Sequence, residues 1–215
     1  MIAQSILDAF SLEMVSNVEI AGPGFLNFTL SKDRFSKVIS DVLAQKENYG
    51  QQPANGIKVD LEYVSANPTG SLHLGHARGA AWGDSCARIM KKAGYDVTRE
   101  YYVNDAGNQI TNLALSLNAR YRQAQGIPTE IGQDGYMGKD VEEKGYELAK
   151  EYPETYLEPT EENLKFFKKE GIKFELDKIR KDLDRYRVHF DVWSSEQSIR
   201  DAGKVDAAVK KLDEK

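Results

Sequence analysis

The sequence is poor in the residues that build disulfide-bonded, zinc-bound or membrane-embedded proteins. It has one cysteine in 215 residues, which excludes an internal disulfide and a cysteine-based zinc framework. No apolar run approaches the ~20 residues that a membrane-spanning helix needs. The first residues also lack the basic and apolar regions of a secretory signal peptide. These absences predict a cytoplasmic protein without a membrane partner.

Positive charge is also scarce for a protein that would bind nucleic acid over a broad surface. There are 29 Lys and Arg residues against 34 Asp and Glu, a formal net charge of −5. A domain whose main partner is nucleic acid is more often basic. The balance therefore favours a small-molecule ligand, or contact with RNA through a local patch only.

The first part of the chain, residues 1–50, is predicted to be a small α/β unit. Strand-like segments at 18–20 and 26–30 flank a Gly-Pro-Gly turn, and a helix with one apolar face follows. Such a unit is too short to enclose a core of its own. Residues 48–56 are polar, contain two glycines and a proline, and predict a linker.

The rest of the chain, residues 57–215, predicts an α/β fold with a Rossmann-like, doubly wound parallel sheet. Apolar residues alternate near 57–63 and 97–103, as in strands, and the segment between them has helical periodicity. A second helix is predicted around 110–121. The first of these helices is predicted to bury one apolar stripe, which consists of Trp82, Cys86, Ile89, Met90 and Ala93.

Residues 126–187 interrupt this α/β pattern. Their second half is rich in Lys, Glu and Asp, which predicts a solvated helical insertion. Alternating apolar residues at 188–193 then predict a return to the sheet, and a final helix is predicted at 205–212.

The most informative segment joins the first predicted strand of the sheet to the helix that follows. It reads Ala66-Asn67-Pro68-Thr69-Gly70-Ser71-Leu72-His73-Leu74-Gly75-His76. A strand that enters a helix through small residues presents backbone N–H groups and the positive end of the helix dipole to an anion. Two histidines there can donate hydrogen bonds to a phosphoryl group as its charge redistributes. The segment therefore predicts a nucleotide site.

Plainer roles compete with this interpretation. An isolated pair of histidines is more often structural, and zinc is the next alternative. Zinc is disfavoured because no third ligand lies at a suitable spacing from His73 and His76. Gly75 would let adenine or ribose approach the start of the helix, although simple flexibility of the helix start is also open.

The segment from Val59 to Gly79 resembles the first signature of the class I aminoacyl-tRNA synthetases, the His-x-Gly-His motif. Segments 99–109 and 188–193 extend the similarity to the bacterial arginyl-tRNA synthetases, in order and over nearly the whole chain. A lone His-x-Gly-His motif would be weak evidence for this family, whereas the long matching run around it is specific. The resemblance implies that arginine is activated with ATP, carried as its Mg²⁺ complex, and then transferred to tRNA(Arg).

The resemblance also implies roles for particular residues. His73 and His76 are the implied catalytic residues. ATP binding is implied for Pro68, Thr69, His73, Gly75 and His76. Arginine binding is implied for Glu62, Ser65, Asn67, Asn104, Asp105 and Gln109. Alternatives stay open, namely an outward-facing strand residue for Glu62, a turn for Asn67 and a helix cap for Asp105. No metal-ligand set is predicted.

The resemblance further predicts that the sequence is an N-terminal part of a longer enzyme. Residues 1–50 are similar to the end of the family's N-terminal RNA-binding module, and no Lys-Met-Ser-Lys second signature is present. The part is expected to be inactive alone, and a monomer is favoured. Two other functions remain open: a different His-x-Gly-His nucleotidyltransferase, and a non-catalytic module that binds a nucleotide or a partner protein.

Overall fold

Two units make up the computed structural model, which describes residues 2–214, and the boundary between them lies between Gln52 and Pro53. The first unit consists of α1 (Ile2–Ala9), β1 (Val15–Ala21), β2 (Phe25–Leu30), α2 (Lys32–Gln45) and a 3₁₀ turn (Lys46–Asn48).

The predicted hairpin of the first unit is confirmed. Strands β1 and β2 pair antiparallel, with Ile20 opposite Leu26. Gly22, with φ of +51°, supplies the left-handed backbone that the turn between them requires. None of the described residues of this unit is buried, and Phe25 and Phe35 are 70% and 63% exposed. The unit has no core of its own, as its length predicts.

The second unit contains a parallel sheet with the strand order β3-β4-β5. The predicted α/β class and the strand–helix–strand unit are confirmed. In chain order the elements are β3 (Lys58–Glu62), α3 (Leu74–Lys92), β4 (Asp96–Val103), α4 (Asn108–Ala124), α5 (Lys139–Glu151), α6 (Glu161–Arg185), β5 (Val192–Ser195), α7 (Glu196–Asp201) and α8 (Lys204–Asp213). None of the described helices is long and apolar enough to cross a membrane.

Helix α3 buries a different face from the predicted one. Trp82 and Ile89 are 76% and 68% exposed, whereas Ala80 and Gly83 are buried. A Cβ atom at Gly83 would lie 2.2 Å from Cγ of Tyr63, so only glycine permits this close approach. The predicted apolar stripe is wrong because small residues, and not the large apolar ones, form the contact surface.

The charged segment is helical, as predicted, but it is more than a solvated insertion. Helices α5 and α6 build a core with α4, which includes Leu113, Leu117, Val141, Leu148 and Phe167. Further along α6, Ile179 and Leu183 pack into the core of the sheet, together with Tyr101 of β4. The correction follows from the apolar residues that recur at helical spacing within the charged sequence, since these line the inner faces of the helices.

The chain returns to the sheet later than predicted. Val188 and Phe190 precede β5 and fill the core beyond the end of α6. Asp191 donates its N–H to the Arg99 carbonyl at 2.9 Å and accepts bonds from the Arg99 guanidinium at 2.9 and 2.8 Å. The bonds from the Arg99 guanidinium hold the pKa of the Asp191 carboxyl well below its usual range. The segment before β5 is therefore fastened to β4 without being part of a strand.

Candidate active site

Strand β3 is followed by two residues with left-handed backbone. Val64 has a φ of +68° and Ser65 a φ of +40°. Residues with side chains rarely adopt this conformation, and for a β-branched valine it is strained. The Ser65 hydroxyl accepts a hydrogen bond from the Tyr102 N–H at 3.0 Å, which ties the bend to β4. The bend lies at the carboxyl end of β3, where open α/β sheets bind ligands.

The signature loop, residues 66–76, has two residues near its start that are buried inside the second unit, Ala66 and Pro68. The Tyr101 hydroxyl donates to the Ala66 carbonyl at 2.8 Å, and both residues are buried. Burial raises the pKa of Tyr101 to about 12. Pro68 is also fully buried, so its ring does not face the solvent from which ATP would arrive. ATP binding by Pro68 and Thr69 stays a prediction; the Pro68 ring packs inside the unit, whereas the neighbouring Thr69 is half-buried.

The two histidines cap the helix that they open. Nδ1 of His73 accepts a hydrogen bond from the Gly75 N–H at 3.1 Å, and Nδ1 of His76 accepts one from the His73 N–H at 3.2 Å. Their rings stack with centroids 3.7 Å apart. This reciprocal arrangement is a capping box, and it satisfies N–H groups that a helix start leaves unpaired.

The capping bonds determine which ring nitrogens carry the protons. An Nδ1 atom that accepts a hydrogen bond is not protonated, so the proton of a neutral ring lies on Nε2. His73 and His76 therefore each present an Nε2–H donor on the side of the ring away from Nδ1. Two such donors at the positive end of a helix dipole are suited to the oxygens of a phosphate.

Gly75 leaves space that the His73 ring occupies. A Cβ atom at position 75 would lie 2.9 Å from Cε1 and 3.1 Å from Nδ1 of His73. Glycine is therefore required for the capping geometry itself, in addition to any approach of a nucleotide. At Gly70 and Gly79 a Cβ atom would have no neighbour within 4 Å.

We expect His76 to titrate below the ordinary histidine pKa of 6.5. Partial burial lowers the pKa of His76, and the neighbouring His73 ring lowers it further. Protonation would also break the bond from the His73 N–H, because a protonated Nδ1 cannot accept. In the unfolded chain, His76 takes up its proton at a higher pH than in the folded chain. The stability that the neutral His76 ring contributes is therefore complete above the unfolded pKa and is lost as the pH falls through the folded pKa.

An NMR titration of the three histidine side chains checks this expectation. The His73→Ala variant should raise the pKa of His76 toward 6.5, because it removes the neighbouring ring. His189→Ala is the matched control, since His189 contacts Asp184 at 3.1 Å and takes no part in the capping box. A pKa for His76 at or above 6.5 in the unmodified chain would contradict the described geometry.

The structure brings together three of the six residues predicted to bind arginine. The Asn67 amide donates to Oε1 of Gln109 at 2.8 Å, which links the signature loop to the start of α4. When the Asn104 side-chain amide is oriented so that it can form hydrogen bonds, its nitrogen donates to the Ala106 carbonyl and to Oε2 of Glu196, each at 3.1 Å. The Asn104 amide oxygen then lies 3.3 Å from Oδ1 of Asn67. The three amides therefore form a polar group at the carboxyl ends of β3 and β4.

The other three residues predicted to bind arginine differ in whether their side chains already form hydrogen bonds within the protein. Asp105 accepts from the Ser195 hydroxyl at 2.6 Å and from the Gln197 N–H at 2.8 Å, so it joins the end of β4 to the start of α7. Ser65 is engaged with Tyr102, as described above. Glu62 is exposed at the last position of β3.

Sequence reasoning missed the residues at the end of β5 and directly after it. The Ser195 hydroxyl caps α7 by accepting from the Ser198 N–H at 3.0 Å, and Glu196 faces Asn104. The signal was present as a Ser-Glu pair directly after an apolar alternation, which is typical of a helix N-cap. Parallel neighbours end at the same edge of a sheet, so these residues lie beside the end of β4.

Two family profiles match most of the chain. The family profile described as "tRNA synthetases class I (R), catalytic domain" matches residues 38–215. The profile described as "Arginyl tRNA synthetase N terminal domain" matches residues 1–30.

Curated relatives are similar along the whole chain. An arginine–tRNA ligase of Bacillus pumilus is 51% identical over 218 residues, which cover 100% of this chain and 39% of the relative. One from Bacillus subtilis is 52% identical over 203 residues, which cover 94% of this chain and 36% of the relative. The chain thus spans less than half the length of these relatives.

Solved structures agree with the described fold. An arginyl-tRNA synthetase structure from Campylobacter jejuni matches with a TM-score of 0.75 and 32% identity, over 86% of this chain and 40% of that chain. An arginyl-tRNA synthetase from Thermus thermophilus has a TM-score of 0.62 at 24% identity and covers 99% of this chain and 35% of its own; it supports the fold alone.

Proposed function

Because this chain belongs to the class I arginyl-tRNA synthetase family, we propose that it supplies the ATP-binding part of an arginine–tRNA ligase active site. In the complete ligase, the arginine carboxylate attacks the α-phosphate of ATP and pyrophosphate leaves. The arginyl group then passes to the terminal adenosine of tRNA(Arg). The observation that carries the proposal is the helix start capped by His73 and His76 at the carboxyl end of a parallel strand.

The two histidines are proposed to act as hydrogen-bond donors and not as bases. Their Nδ1 atoms are engaged with the helix backbone, which leaves the Nε2–H groups for phosphate oxygens. Adenylate formation needs in-line positioning and stabilisation of charge more than covalent participation of the protein. Gly75 and Thr69 would border the nucleotide. Mg²⁺ is proposed to arrive with ATP, because Mg²⁺ in such sites keeps phosphate and water ligands.

The polar groups at the ends of β3 and β4 are proposed to hold the α-ammonium group of arginine. Glu62 offers an exposed carboxylate, and a carboxylate is a strong partner for an ammonium. The Asn67 amide nitrogen donates a hydrogen bond to Gln109, so the amide oxygen can still accept a hydrogen bond from the substrate. Asp105 is assigned a positioning role, since both of its oxygens bind residues around the start of α7.

One observation favours the second candidate, a non-catalytic module derived from a synthetase. The imidazole rings already satisfy N–H groups of the helix start, so the loop is a complete structure without a nucleotide. Such a module would keep the capping box for stability alone.

A chimera distinguishes the two functions. The 215-residue chain replaces the aligned segment of the Bacillus pumilus arginine–tRNA ligase, and the purified chimera is assayed for charging of tRNA(Arg). We expect ATP-dependent charging with arginine and none with lysine, because the grafted segment supplies the same nucleotide site. A chimera that has the circular dichroism of a folded protein, yet forms neither arginyl-adenylate nor arginyl-tRNA, would favour the non-catalytic module.

A further inference from the structure

One Asn-Gly pair, Asn55-Gly56, lies in the polar segment that precedes the first strand of the parallel sheet. Both residues are exposed to solvent. Asparagine is among the thermally labile residues, because its side-chain amide carbon can be attacked by the next backbone nitrogen. A glycine in the next position leaves that nitrogen unshielded, since it has no Cβ atom. The proposed function gives Asn55 no role.

The Asn55 side chain folds along the backbone that follows it. Its Oδ1 atom accepts a hydrogen bond from the Ile57 N–H at 2.9 Å, which forms an Asx turn. The ring that this bond closes contains both Cγ of Asn55 and the backbone nitrogen of Gly56. Gly56 completes the turn with a left-handed φ of +76°, which glycine adopts without strain. The turn therefore holds the amide carbon and the attacking nitrogen in one small loop.

Two further features of this turn favour the attack. Within residues 2–214, the Gly56 N–H donates to no acceptor, so the nitrogen is not engaged in another bond. The Ile57 N–H points at Oδ1, which is the oxygen that gains negative charge as Cγ of Asn55 becomes tetrahedral. A donor that is already in place lowers the energy of such a state, as in an oxyanion hole.

The backbone on either side of this turn is fastened to the turn between α3 and β4. The Asn55 N–H donates to the Gly94 carbonyl at 2.9 Å, and the Asp96 N–H donates to the Ile57 carbonyl at 3.0 Å. A Cβ atom at Gly94 would lie 2.1 Å from the Pro53 carbonyl oxygen, so the two segments are in close contact. The length of backbone between residues 55 and 57 is thus fixed from both sides.

We propose that Asn55 is a site of spontaneous deamidation and isoaspartate formation. The Gly56 nitrogen gives its proton to hydroxide and attacks Cγ of Asn55. An N–Cγ bond forms, the Cγ–Nδ2 bond breaks, and ammonia leaves with a proton from water. The succinimide then adds water at Cγ, which gives aspartate, or at the backbone carbonyl carbon, which gives isoaspartate. Water and hydroxide are the only co-reactants, and nothing is oxidised or reduced.

Isoaspartate changes the path of the backbone at this point. The chain then runs through Cβ and Cγ of residue 55, which lengthens it by one carbon–carbon bond of about 1.5 Å. The bonds to Gly94 and from Asp96 cannot both keep their present geometry with this longer backbone. We therefore expect isoaspartate to release the Asp96 N–H, whereas aspartate adds a negative charge and leaves the backbone path unchanged.

Peptide mapping by mass spectrometry tests the proposal on the 215-residue chain during incubation at neutral and mildly alkaline pH. Asp134→Asn supplies a matched control, because it creates a second exposed Asn-Gly pair in the same chain. There the Gly135 N–H donates to the Gly132 carbonyl at 2.9 Å, so the attacking nitrogen is engaged. In the folded chain, we expect position 55 to lose ammonia about tenfold or more faster than position 134 of this variant. In urea, the two positions should react at similar rates.

Amide hydrogen exchange of Asp96 measures the structural effect of the modification. The isoaspartyl fraction is isolated by chromatography and identified by its resistance to endoproteinase Asp-N at position 55. We expect the Asp96 N–H to exchange about tenfold faster in this fraction than in the fresh chain. Asn55→Asp should leave the exchange unchanged, and incubated Asn55→Gln should stay unmodified, because its longer side chain would have to close a six-membered imide.

Either of two results would overturn the proposal: equal rates at positions 55 and 134 in the folded chain, or an intact Asn55 in the folded chain after the urea-denatured chain has reacted. Product that contains aspartate but no isoaspartate would also contradict it. The proposed synthetase function is tested separately, because none of these measurements requires ATP, arginine or tRNA.

Discussion

His76→Ala in the chimera is expected to lower the rate of arginyl-adenylate formation about a hundredfold or more, the scale measured for a lost transition-state donor. The variant removes the Nε2–H proposed to face the α-phosphate, and also the acceptor of the His73 N–H at 3.2 Å. Arginine affinity should change little, because the residues proposed to hold arginine lie at the ends of β3 and β4. Single-turnover adenylate formation and calorimetry of arginine binding measure the two effects.

A second substitution separates the donor role from the capping role. His76→Asn keeps an acceptor close to the position of Nδ1 and removes the Nε2–H donor. If the donor acts on the phosphate, the Asn variant stays as slow as the Ala variant. Full activity in His76→Asn would show that the ring serves only as a cap, and loss of arginine binding with normal activation would contradict the assignment altogether. His189→Ala is the control, since it removes the histidine that takes no part in the capping box.

Gly83→Ala is expected to destabilise the second unit by about 1–3 kcal/mol, as overpacking does in a close-packed interior. The added Cβ would lie 2.2 Å from Cγ and 2.4 Å from Cδ2 of Tyr63. The Tyr63 ring has little freedom to yield, because it packs on Phe190 with ring centroids 4.5 Å apart. Helix α3 must therefore move away from the sheet or the ring must leave its rotamer.

Gly79→Ala is the matched control on the same helix. A Cβ atom there meets nothing within 4 Å, so the better helix propensity of alanine should stabilise the unit by up to ~1 kcal/mol. Urea unfolding followed by tryptophan fluorescence measures both variants, and both tryptophans of the chain, Trp82 and Trp193, lie in the second unit. Equal stability of Gly83→Ala and the unmodified chain would show that α3 and Tyr63 are not in close contact.

Local sequence patterns determined the elements and the motif. The Gly-Pro-Gly turn between β1 and β2, the apolar face of α4 and the strand–loop–helix run that ends at His76 were all predictable. Turn chemistry, helical periodicity and capping act over a few neighbouring residues, so the sequence alone carries them. The resemblance to a synthetase signature rests on the same contiguous run, and the family profile agrees with it.

Contacts between distant residues were decided only by the tertiary structure. The buried face of α3 depends on Tyr63, which lies outside the helix and leaves room only for Gly83. Asp105 meets Ser195 across 90 residues of chain, so a pattern around Asp105 alone suggested a ligand-binding role or a local cap. The charged helices bury their apolar residues because α4 supplies a surface for them. Periodicity marks which residues share a face, but only close packing against a particular neighbour selects the face that is buried.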